Sequence, residues 1–266
     1  MSEQPKLEEE TQQKVKAKSS QTASKLSEQQ IIDNILGNMP SVEEVPMDLP
    51  SKNKFYNLQD PGKPITLRPM SFEDERAMMS KKNVNMDILN ILLTRCVSNI
   101  NVGSLLQMDK LYLVMKLREL SYGNEYTASI NCAGCRKDNK ITFSLSELPV
   151  VYLEDDAVNP IEVELPILKK QIKVRRPTVE DEQYFANAEF AIGNLWRFVE
   201  EIDGHSQKKI ISKVIPQLPL QDAHAVLDAV AATKYGVDTK VRFVCNFCDY
   251  NEVMELPISA DFFTGS

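Results

Sequence analysis

Ile65-Thr-Leu-Arg-Pro-Met-Ser-Phe-Glu-Asp-Glu75 returns later in the chain as Ile172-Lys-Val-Arg-Arg-Pro-Thr-Val-Glu-Asp-Glu182. Ile, Arg and the Glu-Asp-Glu run coincide, and Leu/Val, Ser/Thr and Phe/Val are conservative exchanges. Each copy reads as an alternating strand followed by a helix. Ser71 or Thr178 supplies the N-cap, and the acidic run falls in the first turn, where the helix dipole favours negative charge.

The likeness continues downstream. Asp109 precedes Cys132 by the interval that separates Asp222 from Cys245, and Tyr122-Gly123 matches Tyr235-Gly236 in the same register. Between the Asp and the Tyr-Gly lie apolar segments, Leu111 to Leu120 and Ala223 to Ala231. Both are apolar nearly all round, which predicts two buried helices packed on each other, closed by Gly123 and Gly236. Each leads into a strand, a CxxC and a second strand: Tyr126–Ile130 with Lys140–Ser144, then Val241–Val244 with Glu252–Leu256. The extra residues around Gly204-His205-Ser206 are expected to be a longer helix-to-helix loop. The expected fold is α+β, with two pseudo-repeats of strand, helices and a CxxC-tipped β-hairpin. Residues 47–157 form the first and 158–266 the second.

Cys132-Ala-Gly-Cys135 and Cys245-Asn-Phe-Cys248 carry the chemistry. Zn²⁺ prefers four tetrahedral ligands, with thiolates about 2.3 Å away, and one CxxC knuckle supplies half of such a site. Two equivalent halves would bring equivalent hairpin tips together. The expectation is one zinc-ribbon-like site per chain, structural and closed, formed by Cys132, Cys135, Cys245 and Cys248. Two other readings stay open: a dithiol redox pair, or cysteines that are merely buried. Strand-like sequence after both pairs speaks against the first. Cys96, within an apolar run, reads as a core thiol.

Residues 1–30 contain no aromatic residue, and their five lysines balance five glutamates, so they read as a disordered tail. Ser27-Glu-Gln-Gln30 is a capping-box pattern ahead of Ile31, Ile32, Ile35 and Leu36. Residues 31–46 then read as a short helix and linker, with Gly37 and Pro40 ending the helix. The 27–36 helix suits docking into a partner's groove, or packing on its own domain.

The 266 residues are 42% hydrophobic and 26% charged, the composition of a globular protein. No apolar run is long enough to span a membrane, and the N-terminus lacks a signal-peptide core. A reducing cytoplasm is therefore expected, where paired cysteines point to metal. The net charge of −7 argues against coating nucleic acid. The basic stripe Lys169-Lys-Gln-Ile-Lys-Val-Arg-Arg176 keeps a zinc-ribbon, nucleic-acid-binding regulator as the alternative, though an exposed edge strand or a contact for an acidic partner is the usual reading. Neither His205 nor His224 lies near a nucleophile, and the phosphate-loop, nucleophile-elbow and HExxH signatures are missing, so no enzyme is expected.

Taken with Leu49-Pro-Ser-Lys52 and Phe72-Glu-Asp-Glu75, the run from Leu105 to Tyr126 resembles the T4-like bacteriophage baseplate hub family. The Leu-Pro-Ile and Asp-Phe-Phe of the closing stretch fit it too, and the likeness covers roughly residues 46 to 266. The resemblance implies a tail protein that builds or resides in the baseplate hub, contacts other baseplate or tail proteins and performs no reaction. It places the protein in the host cytoplasm during assembly and leaves open whether it stays in the virion tail.

Overall fold

The computed structural model describes residues 27–37, 43–79, 86–184, 192–231, 234–258 and 260–263. The chain divides into two units, residues 1–43 and 44–266. In the first unit α1 (Glu28–Leu36) starts from a complete capping box: Gln30 N–H donates to Ser27 Oγ and Ser27 N–H to the Gln30 side chain. Ile31, Ile32 and Ile35 all stand exposed along it. Of the expected disordered tail, residues 1–26 lie outside the described residues.

The second unit runs β1 (Val45–Pro46), β2 (Thr66–Leu67), α2 (Phe72–Met79), α3 (Met86–Cys96), β3 (Val97–Ser98), α4 (Gln107–Tyr122), β4 (Glu125–Asn131), β5 (Asp138–Ser144), β6 (Val150–Val151) and β7 (Ile161–Glu164). It continues through β8 (Gln171–Val174), β9 (Val199–Ile202), α5 (Lys208–Val214), α6 (Leu220–Ala231), β10 (Gly236–Val237), β11 (Lys240–Val244) and β12 (Asn251–Glu255). The result is a mixed α and β fold of small antiparallel sheets. Their orders are β1-β2-β3, β4-β5, β7-β8-β9, β10-β6 and β11-β12.

Strong helix formers without Gly or Pro make α4 a continuous helix. Leu113 and Leu117 on it are fully buried. It stops at Gly123, whose φ of 89° an L side chain resists. Along β4, strict alternation buries Tyr126, Ala128 and Ile130 and exposes their neighbours. One apolar core gathers α3, α4 and β4-β5 together with Phe243, Cys245, Leu256, Phe262 and Phe263. A second is built from β8, β9, α5 and α6, around Ile172, Val174, Phe198 and Val226.

Several expectations give way here. The residues around Gly204-His205-Ser206 do not join two helices: they follow strand β9, whose Val199 and Ile202 are buried beside β8, and the turn after it holds His205. The residues after Thr178 form a 3-10 helix, Val179–Tyr184, and not an α-helix. Its first N–H is claimed from outside, Val179 N donating to Leu105 O at 2.8 Å beside a Leu106–Thr178 bridge. Helix α6 buries only Asp222, Val226 and Val230. It belongs to the second core and not to that of α4, so the two helices are not a packed pair. Gly236 does not close a helix; it begins β10, opposite β6.

The basic stripe is no edge strand. β8 lies between β7 and β9, and Ile172 and Val174 are fully buried. Its cations meet carboxylates: Lys169 with Glu164, Lys170 with Asp203, Lys173 with Glu201 and Arg175 with Asp181. Such pairing cancels much of the field that a phosphate backbone would feel.

Candidate metal centre

The two CxxC turns are built alike. β4 delivers Cys132, whose N–H donates to Lys137 O at 3.0 Å and whose carbonyl accepts Arg136 N–H at 2.8 Å. β11 delivers Cys245, whose N–H donates to Tyr250 O at 3.0 Å. Phe247 N–H points at Cys245 Sγ, 3.3 Å away. Such amide-to-sulfur contacts favour a thiolate. Neither pair opens a helix, as the cysteines of a dithiol redox motif do.

The tips meet. Cys132 Sγ lies 3.7 Å from Cys248 Sγ, and Cys135 Sγ lies 3.7 Å from Cys245 Sγ. All four sulfurs fall within 4.8 Å of one another, near enough to hold one metal ion. A disulfide requires about 2.05 Å. A tetrahedron with metal–sulfur bonds of about 2.3 Å has edges of about 3.8 Å, so the two close contacts suit a shared cation. Cys132 and Cys245 are buried, while Cys135 and Cys248 are half-buried.

Charge chemistry points the same way. Burial opposes ionisation of Cys245, yet the Phe247 N–H and the adjoining sulfurs bring it down to about 6. Tyr250 N–H favours the Cys248 thiolate, but desolvation and its sulfur neighbours push it up to about 12. Four thiolates this close repel strongly unless a cation stands among them. Cys96 sits apart in the first core, where burial raises its thiol to about 11.

Other residues join the hairpins beneath the sulfurs. Asn139 on β5, 1% exposed, accepts Asn246 N–H at 2.8 Å and donates to Lys137 O at 3.0 Å. Gly134 sits so close that a Cβ there would stand 3.1 Å from Tyr250 Cβ. Lys137 Nζ lies 4.9 Å from the centre of the Phe247 ring. Asn139 escaped sequence reasoning because its partner is more than a hundred residues away. The Glu-Asp-Glu runs hold no metal cluster among the described residues. Their middle aspartates, Asp74 and Asp181, are buried and gripped by arginines.

A metal ion held by four cysteines has no open coordination position left. Among the described residues no helix is long and apolar enough to cross a membrane. A family model described as T4 bacteriophage base plate protein matches residues 42–264. No curated protein and no solved structure matches the chain.

Proposed function

Because the chain belongs to the T4 bacteriophage base plate protein family, we propose that it is a non-enzymatic component of the baseplate hub, resident there or acting in its assembly. The match across residues 42–264 carries this reading, since that family name denotes a structural role in a phage tail. The hub assignment within the baseplate rests on the likeness of the Leu105 to Tyr126 run.

In this reading the metal is zinc, held by Cys132, Cys135, Cys245 and Cys248, one per chain. It staples two related halves. Three features support the relatedness. Arg68, Ser71 and Asp74 make the contacts that Arg175, Thr178 and Asp181 make. Ser51 N–H donates to buried Asp109, and Ile167 N–H to buried Asp222, each following a Leu-Pro whose leucine is fully buried. Both halves end in a CxxC hairpin. Helix α1, with its three exposed isoleucines, is the docking element for another baseplate or tail protein.

The test is to image tails assembled by phage lacking this protein. Hubs that fail to form, with tail intermediates accumulating in the host cytoplasm, are expected. Normal baseplates and full infectivity would refute the assignment.

A further inference from the structure

Among the described residues β12 pairs with β11 alone. The pattern of that ladder fixes which way each backbone group points. Cys245 N–H donates to Tyr250 O and Leu256 N–H to Thr239 O, so the hydrogen-bonded pairs are Thr239/Leu256, Val241/Met254, Phe243/Glu252 and Cys245/Tyr250. The N–H and C=O groups of Asn251, Val253 and Glu255 therefore point away from β11, along an open edge. Its charges, Glu252 and Glu255, are of one sign and leave the centre of the strand apolar. It carries no lysine or proline, and Val253 at its centre is 69% exposed, with exposed Val244 diagonal to it on β11.

We infer that this edge pairs with the same edge of a second copy, antiparallel about a two-fold axis at Val253. The sequence Asn251-Glu-Val-Met-Glu255 is self-complementary in that register. Val253 faces Val253 of the second copy, Asn251 faces Glu255, and Glu252 faces Met254. The three outward-pointing residues meet outward-pointing partners, and no like charges lie directly opposed. Other registers are poorer: a two-fold at Glu252 or Glu255 sets that glutamate against itself, one at Met254 puts Pro257, which has no N–H, opposite Asn251, and one at Asn251 puts Val253 opposite Asp249. The outer edge of β11 is excluded likewise, because its central outward residue is Arg242, which would face its own copy. Pro257, two residues past β12, prevents the paired strand from lengthening. The product is a closed four-stranded sheet with Val244 and Val253 of both copies on one face. Closure by a two-fold is the common route to a finite assembly.

Sedimentation equilibrium of the full chain tests this. A strand pair of this size is a small interface, and a dissociation constant of order 10–100 µM is expected. Val253→Glu sets two carboxylates against each other and should raise that constant at least about tenfold. Metal content and circular dichroism should stay unchanged, because the Val253 side chain is 69% exposed and a glutamate there faces Arg242 within its own hairpin. Asn251→Lys places a cation opposite Glu255 of the second copy and should tighten the dimer about threefold. A wild-type chain that stays monomeric at about 500 µM would overturn the inference. So would a dimer indifferent to Val253→Glu, weaker association of Asn251→Lys, or oligomers that grow without limit with concentration.

Discussion

Arg175 grips Asp181 through both terminal guanidinium nitrogens, Nη1 to Oδ2 at 2.6 Å and Nη2 to Oδ1 at 2.7 Å. Thr178 adds its backbone N–H at 2.8 Å and its hydroxyl at 3.0 Å. Arg68 and Ser71 hold Asp74 in the same manner, with Arg95 as a further donor. Burial by itself would raise both carboxyls, but these donors keep them below the ordinary carboxylate range. The pairs therefore stabilise the fold fully above about pH 4, where the unfolded carboxyls are also ionised, and lose that contribution as pH falls through the native values. At pH 7 Asp181→Asn should cost about 2–3 kcal/mol in urea denaturation. The deficit should shrink progressively below about pH 4. A deficit that stays constant into strong acid would show that charge is not its source.

Metal removal has a direct readout. Elemental analysis of reduced, full-length protein should find one zinc per chain, and Cys132→Ser or Cys245→Ser should abolish it. Each substitution should lower the melting temperature by roughly 10 °C, a loss of several kcal/mol spread over a protein of this size. Two ions per chain, or none in protein kept reduced, would dismiss the shared cage.

Asn139 tests the support beneath the sulfurs. Asn139→Ala strands the Asn246 N–H and loosens one hairpin from the other. Zinc affinity, measured by competition with a chromogenic chelator, should fall roughly tenfold while stoichiometry stays at one. Asn139→Leu keeps the volume without either hydrogen bond and should lose about as much as Asn139→Ala. A Leu variant near wild type would mean that packing, not these hydrogen bonds, is what counts.

Tyr56 links a loop to the start of α4. Its hydroxyl donates to Asp109 and accepts Leu106 N–H at 3.0 Å. Asp109 is fully buried, and burial lifts its carboxyl above the ordinary range despite the bonds from Ser51 and Tyr56. Here the sign reverses: the native state binds this proton more tightly, so the charged form costs stability as pH rises through the native value. Tyr56→Phe removes a donor to the carboxylate and should destabilise by about 3 kcal/mol at pH 7. That deficit should narrow as pH is lowered toward about 4, because a protonated Asp109 needs the hydroxyl less. Denaturation curves showing a wider gap at the lower pH would contradict this account.

How much could be read from the residues alone depended on range. Alternation in Tyr126–Ile130, helix formers running to Gly123, and CxxC at two hairpin tips are local signals, and each led to the element found. The meeting of the four sulfurs followed from matching intervals rather than from any motif. What escaped was set by neighbours distant in sequence. Val199–Ile202 is four residues long and becomes a strand only beside β8. The helical turn after Thr178 is a 3-10 helix whose first amide goes to Leu105, a partner distant in sequence. The small residues of α6 looked core-like, yet the surface they meet covers only one side of the helix. The basic stripe could not announce its carboxylate partners, since Glu201 lies on β9 and Asp203 in the turn just after it.

Phe243, Cys245, Leu256, Phe262 and Phe263 close a core that otherwise belongs to residues 47–179. During synthesis this has a temporal meaning. The early part of the chain leaves the ribosome with its largest apolar cluster still open, and with Cys132 and Cys135 facing no partner, until residues 243–263 have been translated. A ribosome that stalls or terminates before that point releases a sticky, half-built body and not a smaller working one. The first core thus waits on residues 243–263 for its completion.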